Sequence, residues 1–513
     1  MVNSQYIACI DAGTTSCRTI LFDSDGQIVA STYEAYQSIY LSPTWIDHDP
    51  ETWRMAARHT LQRVLSETGT THLAAICVIS QRATFIPVDR DGRPTDRAIL
   101  WQDKRAVKEA DRIRSEVGDE YIYQKTGLRI DPYFSLPKLL WIKANKPEVL
   151  KSAYKILSVH DLIVHDLTGR FLMDWTQASR TMLLNLREFA WDRELCARFD
   201  IPLELLPETV KPGSVAGSLR PALARELGLS GDIPVVAVGG DQQAAAIGMG
   251  LVRHGAVGAN TGTGSFVLAF SREPVFDEFR RVICTASAMA GNWLIEGSII
   301  TTGCVYDWFR NHLGPAGESL HPADLDREIA QAGPGAGGLL LLPHFAGAAA
   351  PYWDPHAVGL LFGLSLGHGR AHVLRAAFEG IAIEIQKSLR LVDKLIGGSS
   401  EVRVAGGLTR SGVLNQVQAD VYGKTVVRVA CEEASALGAM IAASVAIGRY
   451  SDIPAAADAL VQLGARVQPD LSTQPIYERL TALHDALYEA ISAKGLYESE
   501  DRLKTQIFDS GRV

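Results

Sequence analysis

The chain has 513 residues, of which 47% are hydrophobic and 21% charged, a composition typical of folded globular proteins. At roughly 100–200 residues per domain, this length predicts two or three domains. The formal net charge of −8 argues against a general affinity for nucleic acid or for an anionic membrane, although local dipoles and one arginine can still hold a small anionic ligand.

The cysteine pattern and the absence of targeting signals predict the compartment. Seven cysteines are dispersed without a C-x-x-C pair, which is typical of core thiols in a reducing environment. The first residues lack the basic region of a signal peptide, and no apolar run reaches the roughly 18 residues that a membrane span needs. We therefore expect a cytoplasmic protein without a membrane segment.

The N-terminal segment predicts a β-hairpin. Tyr6–Ile10 is apolar, a loop rich in Gly and Thr follows at Asp11–Ser16, and Thr19–Phe22 is apolar again. Such a loop offers backbone N–H groups and hydroxyls to a polyphosphate. The alternative is a structural hairpin in which Gly13 supplies a positive φ and Arg18 lies on a solvated strand.

The same pattern returns about half the chain later. Ala256–Ala259 is followed by the loop Asn260–Ser265 and by the apolar Phe266–Phe270. This repetition predicts a duplicated domain whose two hairpin loops face each other across a cleft. The expected boundary lies near Gly248–His254 and gives domains 1–250 and 251–513.

The remaining segments alternate between helix and strand, which predicts an α/β fold with helices on both faces of a sheet. Asp49 is a plausible N-cap with Pro50 at the first helical position. The predicted helices are Glu51–Glu67, Ala371–Ile396, Asn415–Tyr422 and the tail from Pro475, and the further strands are His72–Ile79, Pro234–Val238 and Val402–Val404. We expect the tail helix to pack on the second domain, with a dimer contact as the alternative.

The first loop combines the groups that polyphosphate transfer needs. Asp11 supplies a carboxylate for hydrated Mg²⁺, three hydroxyls follow it, and Arg18 supplies a fixed cation. Neither a Walker loop nor a dinucleotide fingerprint is present, because Gly13 lies within a hairpin and not at a strand-to-helix turn. A dehydrogenase is therefore set aside.

At this point the chain resembles the FGGY carbohydrate kinases, which have the actin-like ATPase fold, and within that family the glycerol kinases. The similar segments extend to about residue 450 and include Asp11–Arg18, Trp45–Pro50, Ile99–Gln102, Thr126–Leu128, Asp131–Ser135, Ala178–Leu183, Gly240–Ala245, Ala350–Pro355 and Gly406–Gly407. The resemblance implies two ribonuclease-H-like domains flanking a central cleft. It also implies an ATP-dependent phosphotransferase acting on a hydroxyl of a small polyol or sugar, with glycerol giving glycerol 3-phosphate and ADP.

The resemblance assigns roles by position. Asp241 would accept the proton of the substrate hydroxyl, and Asp11 would hold Mg²⁺ through water. The substrate-binding set would be Arg82, Trp101, Asp103, Tyr133, Asp241, Gln242 and Phe266. The ATP-binding set would be Thr14, Thr15, Ser16, Arg18, Thr263, Gly264, Gly303, Asp307, Gly407 and Ser411. The expected partners are a small molecule and a second copy of the chain, a dimer being favoured, with no nucleic acid and no membrane.

Four positions depart from the glycerol kinase pattern. Ala83 stands where those enzymes carry a Glu that binds glycerol hydroxyls, and Asp307 and Ser411 stand where they commonly carry Gln and Asn. Asp103 stands where they usually have no acid, and there the chain is similar to the xylulose kinases. The first departure keeps open a kinase for a ketopentose such as xylulose, or for a C4–C5 polyol. A non-catalytic ATP-binding sugar sensor of the same fold is the alternative from another class.

Overall fold

The computed structural model describes residues 6–42, 44–314 and 318–509. In chain order the strands are β1 (Tyr6–Ala12), β2 (Ser16–Phe22), β3 (Ile28–Ala35), β4 (Ile39–Ser42), β5 (Trp45–His48), β6 (Leu73–Ser80), β7 (Ile86–Val88), β8 (Ala98–Ile99), β9 (Lys155–Leu157), β10 (Leu172–Asp174), β11 (Leu184–Asn185), β12 (Ala190–Trp191), β13 (Glu208–Val210), β14 (Ser214–Ser218), β15 (Pro234–Gly240), β16 (Val257–Thr261), β17 (Ser265–Ser271), β18 (Ile283–Ala286), β19 (Trp293–Ile299), β20 (Leu340–Leu342), β21 (Leu360–Phe362), β22 (Glu401–Ala405), β23 (Thr425–Val429) and β24 (Leu463–Val467).

The α-helices are α1 (Pro50–Thr68), α2 (Val107–Val117), α3 (Asp119–Thr126), α4 (Ser135–Asn145), α5 (Pro147–Ser152), α6 (Val159–Thr168), α7 (Trp175–Ala178), α8 (Arg193–Arg198), α9 (Pro221–Glu226), α10 (Asp241–Gly248), α11 (Gly303–His312), α12 (Pro322–Ala332), α13 (Arg370–Ile396), α14 (Gly412–Tyr422), α15 (Ala434–Ala446), α16 (Ile453–Leu460), α17 (Gln474–Ala493) and α18 (Leu496–Asp509). None of these helices in the described part of the chain is both long and apolar enough to cross a bilayer.

Contacts between residues divide the chain into two compact units. The first unit consists of the chain up to His254, Phe270–Ile295 and Glu433–Val461, and the second consists of Gly255–Ala269, Glu296–Glu432 and the chain from Gln462. Each unit is thus assembled from separate stretches of sequence, and the division at residue 250 remains a prediction about the linear chain.

The sheet of the first unit has the order β14-β15-β6-β1-β2-β3. Strands β1, β2 and β3 are antiparallel neighbours, β1, β6 and β15 are parallel, and β14 runs antiparallel to β15. In the first hairpin Asp11 pairs with Arg18 and Ala12 with Cys17, and the N–H of Gly13 donates to the Ser16 carbonyl at 2.9 Å. The predicted hairpin is therefore confirmed.

The second unit repeats this pattern of strand directions. β16 is antiparallel to β17 and parallel to β22, β22 is parallel to β23, and β24 runs antiparallel to β23. The hairpin closes with Thr261 opposite Ser265, and the N–H of Gly262 donates to the Gly264 carbonyl at 2.8 Å. The repeated hairpin and the mixed α/β fold class are both confirmed.

Helices cover both faces of the first sheet. Helix α1 begins as predicted, because Asp49 caps it by accepting the Glu51 N–H at 3.1 Å and Pro50 is its first residue. Together with α6 it packs against one face, where side chains such as Ile10 and Val78 are buried. Helix α15 contacts β1, β6 and β15, and because side chains alternate along a strand it covers the opposite face.

Helices α10 and α15 cross at a distance that only glycine permits. A Cβ on Gly248 would lie 1.9 Å from the Ala434 carbonyl oxygen, and one on Gly438 would lie 1.8 Å from that of Ala244. Both separations are far below van der Waals contact, so the two backbones touch directly. This crossing fixes α10, the helix that begins with Asp241.

Candidate active site

Asp241 is the first residue of α10 and directly follows β15. Its Oδ1 accepts the Gln242 N–H at 2.7 Å and lies 3.2 Å from Nε of Arg82. The Arg82 side chain is 2% exposed, whereas that of Asp241 is 27% exposed. A buried guanidinium thus contacts a carboxylate that solvent and ligands can still reach.

The two glycines before Asp241 make room for the protein's own side chains. Gly239 has φ of 106°, and a Cβ there would lie 2.1 Å from Oγ1 of Thr176 and 2.2 Å from Oδ1 of Asp174. A Cβ on Gly240 would lie 2.8 Å from Cδ of Arg82. The groups that lie close to the two glycines are thus Thr176 and Asp174 at Gly239, and Gln243 and Arg82 at Gly240.

Asp11 lies in β1 near two other carboxylates. Its pKa is raised to about 7, chiefly by burial and then by the nearby Asp241; Glu433 adds to this rise, while Arg18 opposes it. Sequence reasoning missed Glu433, although the acidic pair Glu432-Glu433 directly before α15 was a signal. A carboxyl group held protonated by burial and by neighbouring acids suits a divalent cation, because the cation would compensate their charge.

The first hairpin loop divides between two kinds of contact. The Thr14 hydroxyl donates to Oε1 of Gln81 at 2.9 Å and accepts from Nε1 of Trp101 at 3.0 Å. Arg18 forms an ion pair with Glu433, while Thr15 is exposed and Ser16 half-buried. Thr14 therefore contacts Trp101, whereas Thr15 and Ser16 remain accessible.

The structure brings Trp101 and Tyr133 together. Their half-buried rings have centroids 5.3 Å apart with an interplanar angle of 52°. The guanidinium of Arg180 lies 5.4 Å from the centre of the Tyr133 ring, a cation–π contact inside the protein. Arg180 belongs to a segment that carried the family resemblance, but no role was predicted for it.

A buried lysine, Lys138, links the backbone of Tyr133 to that of Ala83, the position where glycerol kinases carry a glutamate. Nζ of Lys138 donates to the carbonyl oxygens of Ala83 at 3.1 Å and Tyr133 at 2.8 Å, and burial lowers its pKa to about 7. Ala83 has φ of 61° and is almost fully buried. The backbone at position 83 is thus held in the left-handed region by its surroundings.

Three further members of the predicted substrate set have the following surroundings. The Asp103 side chain is 0% exposed, and its oxygens accept from Nε of Arg105 at 2.9 Å and from the Ile46 N–H at 2.5 Å. These contacts make Asp103 part of a buried ion pair with Arg105, and its predicted contact with a substrate stays a prediction. Phe266 lies in β17 of the second unit, opposite Asn260. Gln242 is buried directly after Asp241.

In the second unit the hairpin loop lies against the start of α11. The Gly303 N–H donates to the Gly262 carbonyl at 3.1 Å, and the Cys304 N–H donates to that of Thr263 at 3.2 Å. A Cβ on Gly303 would lie 2.1 Å from the Gly262 oxygen, and one on Gly264 would lie 2.6 Å from a carbonyl of β19. The predicted residues Thr263, Gly264 and Gly303 therefore form one contiguous surface.

The other predicted nucleotide residues of this unit have different surroundings. The Ser411 hydroxyl caps α14 and donates to Oδ1 of Asp326 at 2.7 Å. Nothing lies within 4 Å of the position of a Cβ on Gly407, which leaves its backbone open to a ligand. Asp307 is exposed on α11, 3.6 Å from Nε of Arg310.

Known families and proteins match nearly the whole chain. Residues 6–248 match the N-terminal domain, and residues 257–447 the C-terminal domain, of the FGGY family of carbohydrate kinases. The chain is 34% identical to a glycerol kinase of Janthinobacterium sp. (strain Marseille), over 95% of this chain and 99% of that one. It is 36% identical to a glycerol kinase of Thermococcus gammatolerans, over 88% and 90%.

A solved structure shares the same architecture. The ligand-bound xylulose kinase of Lactobacillus acidophilus superposes with a TM-score of 0.89 at 26% identity, over 95% of this chain and 99% of that one. These matches and the repeated sheets define an enzyme that phosphorylates an alcohol group. The chain belongs to the FGGY family of carbohydrate kinases.

Proposed function

We propose that the protein transfers the terminal phosphoryl group of ATP to a hydroxyl of a small polyol or sugar, and that glycerol, the substrate named for its curated relatives, is the first candidate. The observation that carries this proposal is Asp241, a partly exposed carboxylate held at 3.2 Å by the buried Arg82. Its surroundings suit a base that faces a ligand.

In this mechanism Asp241 receives the hydrogen bond of the substrate hydroxyl and accepts its proton. An alcohol has a pKa far above 7 and releases its proton late in a loose transition state. The carboxylate therefore acts mainly by orienting the nucleophile, a contribution of about 10²–10⁴-fold in rate. Arg82 forms an ion pair with this carboxylate, with Nε 3.2 Å from Oδ1.

We propose that Trp101 and Tyr133 form the wall against which the C–H face of the polyol packs, while Arg82, Gln242 and Asp241 bind its hydroxyls. The tilted pair of half-buried rings supports this, since a polyol offers an apolar face and a polar rim. Phe266 stays in the proposed substrate set. Asp103 enters it indirectly, by holding the segment that follows Trp101 through its ion pair with Arg105.

We propose nucleotide contacts in each unit separately. In the first unit they involve Thr14, Thr15, Ser16 and Arg18. The Thr14 hydroxyl also accepts a hydrogen bond from Trp101, which holds its side chain in place. In the second unit they involve Thr263, Gly264, Gly303, Asp307, Gly407 and Ser411. Residues 1–250 then carry the substrate pocket and the first phosphate loop, and residues 251–513 carry the second.

Asp11 is the proposed Mg²⁺ residue, acting through water. Its buried carboxyl group has a pKa of about 7 because burial and the neighbouring Asp241 and Glu433 oppose its ionisation, and the oxygen donors suit a hard cation. When bound, Mg²⁺ supplies positive charge for the phosphate oxygens.

We also propose a homodimer. Exposed apolar side chains on α18, Leu496 and Leu503, offer a surface that a second copy would cover.

The test is ADP release from Mg-ATP with glycerol, erythritol, ribitol, D-xylulose, L-ribulose and dihydroxyacetone. We expect at least one substrate to give phosphorylated product, and Asp241→Asn to remove turnover while ATP binding survives. Asp232→Asn, exposed at the other end of the β15 segment, is the matched control and should behave as the wild type. Near-normal turnover of Asp241→Asn would remove this residue from the mechanism.

A ketopentose or C4–C5 polyol kinase is the second candidate. Ala83 favours it, because the position lacks the carboxylate expected of a glycerol kinase and lies beside the proposed wall. A higher kcat/KM for D-xylulose than for glycerol would support this candidate. ATP binding with no phosphorylated product from any member of the panel would favour a sugar sensor.

A further inference from the structure

The short helix α7 lies directly behind the proposed base. Its residue Thr176 contacts the backbone at Gly240, one residue before Asp241, and is 0% exposed. We propose that Thr176, anchored by Asp174, is a positioning residue that sets the direction of the Asp241 carboxylate. This inference rests on the proposed function.

A directed chain of hydrogen bonds carries the inference. The Gly240 N–H donates to Oγ1 of Thr176 at 2.8 Å, and the Thr176 hydroxyl donates to Oδ1 of Asp174 at 2.5 Å. The Thr176 N–H donates to the same Asp174 oxygen at 2.7 Å. Because the hydroxyl has one proton and gives it to a carboxylate, its lone pairs are left for Gly240. In the contact between Gly240 and Thr176, the backbone N–H is therefore always the donor and the hydroxyl oxygen the acceptor.

The strand end is shaped around this contact. The register of β15 against β6 shifts between Ala237 and Gly239, and such bulges re-aim the residues that follow them. Gly239 has φ of 106°, and any Cβ there would collide with Thr176 and Asp174. The irregular backbone thus brings Gly240 to the hydroxyl, and α10 begins at once with Asp241.

Buried ionisable side chains surround Asp174, the last member of this series of hydrogen bonds. Oδ2 of Asp174 lies 3.6 Å from Nδ1 of His160, which is itself 2.9 Å from Oδ1 of Asp161, and all three side chains are 0% exposed. Burial raises the pKa of Asp174 to about 6, and His160 opposes the shift. Asp174, the last residue of β10, thus lies against the buried His160 of α6.

The same helix also supports the strand that carries Arg82. Nε2 of Gln177 donates to Oγ of Ser80 and to the Gln81 carbonyl, both at 3.2 Å. Consecutive residues of α7 therefore hold the ends of β15 and β6. Those two ends carry Asp241 and Arg82, so α7 fixes the spacing within the pair.

Loss of the Thr176 hydroxyl should affect turnover more than substrate binding. Thr176→Val keeps the shape of the side chain but leaves the Gly240 N–H and the Asp174 carboxylate without their shared partner. The aromatic wall does not touch this contact. Since a misplacement of about 1 Å can cost about 10²-fold in rate, we expect kcat to fall by about 10- to 100-fold.

The experiment compares the wild type with Thr176→Val, Thr176→Ser and Thr126→Val, using the best substrate of the panel. Thr126 is the matched control, since its buried hydroxyl accepts the Leu128 N–H at 3.2 Å and donates to a carbonyl. For Thr176→Val we expect the lower kcat, a substrate KM within about threefold of the wild type, and more ATP hydrolysis per product formed. Thr176→Ser should restore kcat to within about threefold, and Thr126→Val should match the wild type.

The outcomes separate this inference from the proposed function. A wild type that phosphorylates no alcohol refutes the proposed function and the inference with it. An active wild type whose Thr176→Val variant keeps its kcat, or loses no more than Thr126→Val does, refutes the inference alone. Failure of Thr176→Ser to recover any activity lost in Thr176→Val also counts against it. If Thr176→Val does not fold, Thr176→Ala removes the same hydroxyl and carries the same expectation.

Discussion

Replacing Asp11 by Asn should stabilise the protein at high pH and not at low pH. The Asp11 carboxyl group has a pKa of about 7 in the folded protein, against an ordinary value of 3.8, because burial comes first and Asp241 second among the effects that disfavour its charge. Between these two values the folded chain retains a proton that the unfolded chain has released. The free energy of unfolding therefore falls as the pH rises through this window.

The size of the effect follows from the two pKa values. A difference of one pKa unit corresponds to about 1.36 kcal/mol, so full expression of the shift at pH 8 would cost about 4 kcal/mol of stability. An Asn side chain does not titrate in this range, so the free energy of unfolding of Asp11→Asn does not fall with rising pH for this reason. We expect the advantage of Asp11→Asn over the wild type to grow from about zero at pH 4 to about 2–4 kcal/mol at pH 8.

The assay is thermal unfolding of the wild type, Asp11→Asn and Asp25→Asn at pH 4.5, 6 and 8. Asp25 lies in the exposed turn between β2 and β3, so its variant should follow the wild type at each pH. Millimolar Mg²⁺ at pH 8 should narrow the gap between the wild type and Asp11→Asn. An equal gap at pH 4.5 and pH 8 would refute this account of Asp11.

Substitutions at three further positions, Ala83, Gly438 and Trp101, also test the structure. Ala83→Glu should raise kcat/KM for glycerol by about 10- to 100-fold, the worth of a charge-assisted hydrogen bond, and no gain would mean that this position does not limit glycerol use. Gly438→Ala should lower the free energy of unfolding, measured by denaturant titration, by more than about 2 kcal/mol, because its methyl group would meet a backbone oxygen of α10. Gly412→Ala is the control: with open space around it, this substitution should be neutral or stabilising. Trp101→Phe keeps the aromatic face but loses the donor to Thr14, so substrate KM should change less than about threefold, while Trp101→Ala should raise it at least about tenfold; equal effects would argue against the wall.

Local signals were sufficient for the regular elements. Asp49 and Pro50 predicted the start of α1, and the two Gly-Thr loops predicted both hairpins, because caps and tight turns depend on a few consecutive residues. The long helix α13 also ends where predicted, at Gly397 in the left-handed conformation. These features are stabilised by interactions between residues that are close together in the sequence.

Contacts between distant residues were beyond the sequence. Arg18 pairs with Glu433, a residue from the far end of the chain, and no spacing rule connects the two. Asp103 has the residue type of a ligand-binding acid, yet its partner Arg105 and the strand β5 enclose it. Whether a carboxylate faces a ligand or an arginine is decided by packing, and composition does not encode packing.

The make-up of the first unit constrains how it can form during synthesis. The stretch Glu433–Val461 supplies α15, which covers one face of the β1–β6–β15 region and seats α10 by backbone contact. While a ribosome is still translating earlier codons, that apolar face has no cover. The first unit therefore cannot reach its native state until the segment Glu433–Val461 has been synthesised.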